Sequence, residues 1–342
     1  MKIFLILATL LSGNVVQADS NTLTSLDYMP PAQSLSIDLG VSKPFFSDER
    51  TTIPSRNNAG DGDLFHRSTW SNLGIRYGLI NNLTVGLGIG LLWFANDSDD
   101  QDTTYNYRGS TNPKVDCRYR YLSKSSITAD GIAGVTPSLI AAKLSVPATP
   151  GGMTGTEGNP QAYYYGGTYL GGTTIVNLGT ARTYTAGSEQ FSFAPKLSYF
   201  GKGTYAFKAT APSVEVVGSI SSQAYFKFST ALAFRHHFAE TLFAELGGDI
   251  IVPHSISTQL ESLAVTTNGT TTPAQTSNPP LITTNEMPFH FVPQVVVGFK
   301  LPKDNLLMSF GVSYPEYKYS SQTKQGSVLT SATQSTAFRA IE

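Results

Sequence analysis

The sequence has 342 residues, a formal net charge of −1 and a single cysteine. Charged residues make up only 14% of the chain, against about 25% in soluble domains. The charge argues against a nucleic-acid-binding protein, and the lone Cys117 excludes a disulfide scaffold. After residue 20 the longest apolar stretch is the 11 residues of Val85–Ala95, far short of the roughly 20 that a transmembrane helix needs.

The first 18 residues have the pattern of an export signal. Lys2 precedes the apolar segment Ile3–Leu11, and Val16-Gln17-Ala18 is a small-x-small cleavage site. An apolar segment of this length is too short to anchor the chain as a membrane helix. We therefore predict a cleaved signal peptide over residues 1–18 and a short periplasmic segment over residues 19–33.

Residues 73–93 predict the clearest β-hairpin. Leu73, Ile75, Tyr77 and Leu79 alternate with glycines and Arg76, and the same alternation runs from Leu83 to Trp93 after the turn. Period-two alternation places the apolar side chains on one face of a strand. Similar patterns predict paired strands over 226–252 and 289–314, and weaker strands at 34–44, 113–122, 136–147, 189–200, 204–211 and 328–340.

The predicted connections alternate between short and long. Short ones fall at 80–82, 201–203, 239–241 and 302–305, with a longer one at 123–135; long ones fall at 46–67, 95–112, 148–188 and 254–286, with shorter members at 212–221 and 315–327. This alternation is typical of bacterial outer-membrane barrels. We therefore predict an all-β transmembrane antiparallel up-and-down β-barrel of about 12 strands over residues 34–342, with long external loops. A secreted β-sandwich is the alternative, but its strands are shorter.

Aromatic residues cluster near the ends of the predicted strands, as in the interfacial girdles of barrels. Ordinary core packing is the alternative for these residues. The predicted girdle beside the short turns contains Tyr77, Tyr121, Tyr199, Phe238 and Phe299, and the girdle beside the long loops contains Trp70, Trp93, Phe94, Phe289 and Tyr314.

The hairpin segment Ile75–Ile89 resembles that of Gram-negative outer-membrane barrels grouped as the meta-pathway phenol-degradation (MetA-like) transporter family. Cys117–Leu122 and Ala141–Pro147 resemble two further strands of that family. The resemblance implies a pore or uptake barrel, including a channel for hydrophobic compounds, and no catalytic residues. Most such barrels end on an aromatic residue read by the barrel-assembly machinery, whereas this sequence ends Phe338-Arg-Ala-Ile-Glu342.

The strand face opposite the apolar residues is predicted to line the lumen. Its ionisable residues are basic at Arg76, Lys114, Arg118, Arg120, Lys143, Lys196, Lys208, Lys227, Arg235 and Lys300, and acidic at Asp38, Asp116, Glu245 and Asp249. A basic lumen favours anions, although these residues could instead pair internally. Arg235 and Glu245 are equidistant from the turn at 239–241 and should pair. Asp116 is a candidate partner for Arg118 or Arg120.

No catalytic set, metal site or cofactor site is predicted. Asp97–Asp102 resembles the start of a calcium loop but lacks its glycine and glutamate, and the adjacent His236 and His237 should point to opposite faces of a strand. No serine–histidine–acid set of an outer-membrane hydrolase is recognisable. The tyrosine-rich loop 148–188 is expected either to constrict the lumen or to lie on the surface.

The preferred function is passive diffusion of small hydrophilic, including anionic, solutes through the outer membrane. One alternative is a structural or surface-interaction barrel with a closed lumen, and another is a channel for hydrophobic compounds. The expected partners are outer-membrane lipid, lipopolysaccharide and the barrel-assembly machinery. No nucleic acid is expected, and a homo-oligomer is compatible with the sequence.

Overall fold

The computed structural model describes residues 29–42, 46–49, 69–97, 104–110, 112–139, 154–158, 173–211, 214–267, 269–272, 279–301, 306–314 and 316–341. These residues form antiparallel strands, turns and short irregular segments. Within them, no helix has the length and apolarity needed to cross a membrane. The predicted signal peptide lies outside the described residues, as does most of the predicted periplasmic segment.

The strands, numbered in chain order, form two sheets. Sheet I has twelve strands: β1(Leu35–Ser42), β3(Thr69–Ile80), β4(Leu83–Asp97), β5(Thr104–Ser110), β6(Lys114–Lys124), β7(Ile127–Thr136), β9(Ile175–Ala186), β10(Glu189–Phe200), β13(Tyr225–Ala239), β14(Leu242–Ile251), β18(His290–Leu301) and β19(Leu306–Ser313). Each strand pairs with the next one in this order, except that β4 pairs with two strands: with β6, and along its C-terminal part with β5.

Sheet II has nine strands. In spatial order they are β2(Phe46–Glu49), β21(Val328–Ile341), β20(Glu316–Gln325), β17(Leu281–Met287), β15(His254–Thr267), β12(Val214–Ser222), β11(Gly203–Ala211) and β8(Thr154–Gly158), with β16(Thr270–Thr272) paired to the end of β15. Hydroxyl pairs such as Ser257–Thr284 and Thr283–Thr323, each at 3.0 Å, link neighbouring strands of this sheet.

Two long hairpins run through both sheets. In the first, Phe200 of β10 pairs with Tyr225 of β13 in sheet I, and Gly203 pairs with Ser222 in sheet II. In the second, Ile251 pairs with His290 in sheet I, and β15 pairs with β17 in sheet II. The register is therefore continuous across the boundary, and sheet II extends from one edge of sheet I.

The opposite edge of sheet I is formed by tight turns. Two-residue turns lie at Asn81-Asn82, Ser125-Ser126, Gly187-Ser188 and Glu240-Thr241. Gly187 has a φ of 60°, a conformation that glycine adopts without steric cost and that two-residue hairpin turns require. All four turns lie at the edge of sheet I away from sheet II.

The two faces of sheet I differ in polarity. Large apolar side chains lie on the exposed face, where Phe226 and Leu246 are 60% and 62% exposed. Neighbouring residues on the opposite face are charged and buried, since Lys227 and Glu245 are only 5% and 4% exposed. This is the reverse of a soluble protein, whose charged residues are almost never fully buried. The exposed and buried sides are called the outward and inward faces below.

Several predicted boundaries were wrong between residues 123 and 188. The predicted strand 136–147 is replaced by β7, which ends at Thr136, so 123–135 is not a connection; residues 140–147 lie outside the described part. The predicted loop 148–188 contains β9, which pairs with β7 and β10. Small or polar residues such as Gly131 and Thr180 interrupt the outward faces of these strands, so their apolar alternation is weak.

The predicted turn at 201–203 was also wrong. The chain does not reverse there; it passes from β10 into β11, which pairs with β12 and β8 rather than with β10. Other predicted connections coincide with strands of sheet II: most of β12 falls in 212–221, β15 and most of β17 fall in 254–286, and β20 falls in 315–327. These strands are rich in serine and threonine on both faces, so they lack the apolar period on which the prediction relied.

Candidate functional site: the inward face of sheet I

Charged residues line the inward face of sheet I. Strand register and burial place there the basic residues Arg76, Lys114, Arg118, Arg120, Lys196, Lys227, Arg235 and Lys300, and the acidic residues Asp38, Asp116, Asp130, Glu245 and Asp249. This set has eight basic and five acidic members. Lys143 lies outside the described residues, and Lys208 lies in β11 of sheet II with its side chain undescribed.

Two arginines converge on Asp130, whose side chain is 1% exposed. The Nε atoms of Arg118 and Arg120 donate to its Oδ2 and Oδ1 atoms, each at 2.8 Å, and both Nη2 atoms also donate to Oδ2. Two guanidinium groups on one carboxylate leave a net positive charge at this point. Asp116, the candidate partner of these arginines in the sequence, lies 3.8 Å from Nζ of Lys114.

Arg235 and Glu245 form the second buried ion pair. They are directly opposed in the β13–β14 register, and the predicted pairing is confirmed. Arg235 donates from Nε and Nη2 to Oε2 of Glu245 at 2.9 and 2.7 Å. Its guanidinium carbon also lies 4.4 Å from the ring centroid of Phe243. The pair is thus held by charge-assisted hydrogen bonds and a cation–π contact.

Two further ion pairs are looser and partly exposed. Arg76 Nε lies 3.7 Å from Asp38 Oδ2, and Lys114 Nζ lies 3.8 Å from Asp116 Oδ2. Their side chains are about a quarter to two fifths exposed, so water screens them and each is worth little in stability.

An apolar cluster lies on the inward side where sheet I meets sheet II. The rings of Phe200 and Tyr225 stack with centroids 4.6 Å apart and an interplanar angle of 3°, and His254 stacks on Tyr225 at 5.9 Å. Ile175 and Ile256 complete this cluster. The sequence does not predict this cluster, because its members come from strands far apart in the chain and two of those strands fall in predicted loops.

The predicted girdle residues occupy varied positions. Tyr77, Tyr121, Phe238, Phe289 and Tyr314 are exposed on or beside sheet I. Tyr199 is also exposed, but it lies next to the passage into sheet II rather than beside a short turn. Phe299 is half-buried beside Met308. Trp70, Trp93 and Phe94 belong to β3 and β4, and their side chains are outside the described part.

The histidine pair does not form a metal site. Nδ1 of His236 lies 2.6 Å from Oε1 of Glu189, whereas His237 lies beside Phe243 and Gln190. Their different neighbours agree with the prediction that they occupy opposite faces. Across the described ranges, no three histidine, cysteine or acidic side chains are grouped so that they could hold a metal ion.

Comparison with known proteins adds only distant structural likenesses. No family model and no curated protein sequence matches this chain, so the MetA-like resemblance remains a prediction. Among solved structures, the TodX monoaromatic hydrocarbon channel deltaS2 mutant is 11% identical, covering 90% of this chain and 87% of that one, with a TM-score of 0.38. Two mutants of the Rh. blastica porin are 8% identical, covering 90% of this chain and 100% of theirs, with TM-scores of 0.19. Likenesses this distant carry no argument about function.

Proposed function

We propose that the two sheets form the wall of one closed barrel with twelve segments. A segment is either a single strand or a strand of sheet I together with the sheet II strand that continues it, such as β10 with β11 or β14 with β15. Each segment pairs with the next, from the first (β1 with β2) to the eleventh (β19 with β20), and β21 is the twelfth. Since β21 pairs with both β20 and β2, it joins the eleventh segment to the first.

The difference in polarity between the two faces of sheet I is the main support for a location in a membrane. Exposed phenylalanines and leucines cover the outward face, and ion-paired and hydroxyl side chains cover the inward face. An outward apolar band around a polar interior is the arrangement that a bilayer stabilises in a barrel. Nine of the twelve strands of sheet I have 10–15 residues, which is long enough for this crossing, since about 9–11 tilted residues span the hydrocarbon core. The location proposed is the outer membrane of a Gram-negative cell.

The proposed activity is passive diffusion of small hydrophilic solutes through the lumen, with a preference for anions. Eight basic and five acidic residues share the inward face, and both Arg118 and Arg120 bind a single carboxylate. The excess positive charge attracts anions into the low-dielectric surroundings of the wall. Among the inward cations, Lys300 is exposed and the side chain of Lys114 is 42% exposed, so water reaches both.

Two alternatives have specific support. The stacked Phe200 and Tyr225 with Ile175 and Ile256 fill part of the interior and favour a closed lumen, in which case the protein acts as a structural or surface-interaction barrel. The same apolar cluster and the MetA-like sequence resemblance favour a channel for hydrophobic compounds.

Conductance of the purified protein in a planar bilayer tests the proposal. Discrete conductance steps are expected, and Phe200→Ala should enlarge them because it removes a ring from the apolar cluster. The matched control is Phe226→Ala on the outward face, which should leave the steps unchanged. Folded, inserted protein that shows no steps, even with Phe200→Ala, would contradict the pore and favour a closed lumen.

A further inference from the structure

One arginine lies on the apolar outward face of sheet I. Arg182 is the eighth of the twelve residues of β9, and its neighbours Ala181 and Thr183 are buried on the inward face. Its cross-strand partners are Ala129 on β7 and Phe193 on β10. Phe193 and Leu178, on the same outward face, are exposed. A charged group in such apolar surroundings is costly unless something compensates it.

Two tyrosines flank Arg182 on the outward face. Tyr184 lies two residues further along β9 and is 44% exposed, and its ring lies against Phe191 at 6.5 Å between centroids. The hydroxyl of Tyr121 is 3.3 Å from Oγ1 of Thr180, which lies two residues before Arg182 on the same strand. In the part of the chain that the structure describes, no carboxylate forms an ion pair with Arg182. The outward-facing guanidinium therefore has two tyrosines as neighbours.

The position of Arg182 along the strand matches a membrane interface. It precedes the Gly187-Ser188 turn by five residues, and Tyr121 precedes the Ser125-Ser126 turn by four. At about 3.3 Å per residue these groups lie roughly 13–17 Å along the tilted strands from the turn edge. Long arginine side chains near the ends of a membrane span extend toward the phosphate layer.

We propose that Arg182, Tyr121 and Tyr184 bind the phosphodiester of a phospholipid in the periplasmic leaflet. The guanidinium and the hydroxyl groups donate hydrogen bonds to the phosphate oxygens. The acyl chains pack on Phe191, Phe193 and Leu178, which a free phosphate ion would leave exposed. The site rests on the proposed membrane location, but it does not require an open lumen.

Native mass spectrometry of the delipidated protein in detergent tests this site. Phosphatidylglycerol and phosphatidylethanolamine should both bind wild type, because both carry the phosphodiester. Arg182→Gln should weaken both by roughly tenfold or more, since charge-assisted hydrogen bonds are lost. Diacylglycerol, which lacks phosphate, should bind the two proteins equally.

Two further variants sharpen the test. Tyr121→Phe with Tyr184→Phe keeps the rings but removes the hydroxyl groups, and it should weaken lipid binding even if Arg182→Gln fails to fold. Lys202→Gln removes the same charge from an exposed residue between β10 and β11 and should leave lipid binding unchanged.

Equal phospholipid binding by wild type and both site variants would overturn the proposal. Displacement of the lipid by millimolar inorganic phosphate would overturn it as well, since it would show a site for soluble anions. Arg182-dependent lipid binding by a folded protein without conductance would support this site while contradicting the pore. Conductance without Arg182-dependent lipid binding would support the pore while contradicting this site.

Discussion

Arg235 on β13 lies directly opposite Glu245 on β14, and two of its nitrogen atoms donate to one oxygen of that carboxylate at 2.9 and 2.7 Å. Both side chains are buried, at 10% and 3% exposed. Removing one partner leaves the other as an uncompensated buried charge, whereas an exposed pair loses little. The buried pair should therefore contribute more to the stability of the fold than the partly exposed ion pairs on the same face.

Glu245→Gln is expected to destabilise the folded protein by about 3–5 kcal/mol because it leaves the Arg235 charge buried and unpaired. Urea titration followed by the mobility shift between folded and heat-denatured protein measures the change. Asp38→Asn is the matched control: its partner Arg76 is 3.7 Å away, and the two side chains are 34% and 26% exposed, so the loss should stay below about 1 kcal/mol. Equal losses in the two variants would contradict the buried geometry.

Leu87 tests the lipid-facing assignment. It is 50% exposed on the outward face of β4, and Leu87→Arg should cost about 2–4 kcal/mol if that face meets the bilayer core. Gly88 faces inward, and a Cβ there would have no neighbour closer than 3.9 Å, so Gly88→Ala should fold normally. Unfolding measured in phospholipid vesicles compares the three proteins. A Leu87→Arg variant as stable as wild type would place that strand face in water.

Reversal potentials in a tenfold salt gradient test the charge of the inward face. Wild type should prefer anions, and the preference should weaken at high ionic strength as the charges are screened. Lys196→Glu changes the inward charge by two units and should shift selectivity toward cations. Lys324→Glu makes the same change on the exposed end of β20 and should have a smaller effect. A cation-selective wild type would contradict the predicted lumen charge.

Cysteine accessibility tests which edge of sheet I faces the cell exterior. In a Cys117→Ser background, Ser327→Cys at the β20–β21 turn should react with an impermeant maleimide on intact cells. Asn82→Cys, in the turn between β3 and β4, should react only after the outer membrane is permeabilised. The opposite pattern would invert the topology, while leaving the strand pairing intact.

The sequence predicted best the strands whose outward residues are mostly large and apolar. The hairpins β3–β4, β13–β14 and β18–β19 carry such side chains at most alternate positions. Their short turns also fix the register, which is why the pairing of Arg235 with Glu245 could be derived in advance.

Strands with weaker outward faces escaped prediction. In β7 the outward positions include Gly131 and Ala133, so the strand was assigned to a connection and Asp130 was missed as the partner of Arg118. In β9 the outward face carries Thr180 and Arg182, and the proposed binding of a polar lipid headgroup would explain why polar residues occupy this face. In sheet II, strands β15, β17 and β20 have serine or threonine at both odd and even positions, so they have no single apolar period. The clustering of Phe200 with Ile256 depends on pairings that no local pattern encodes.

The short pairing of β2 with β21 has a mechanical consequence for the proposed ring. Among the described residues it joins Phe46–Glu49 to the segment Phe338–Ile341, whereas β10 and β13 pair along twelve residues. Local opening is governed by the number of interactions that must break together. Amide hydrogens along this join should therefore exchange first, and the wall should part there as a slit while the other pairings hold. Force applied across the barrel wall would separate the strands first at the pairing of β2 with β21.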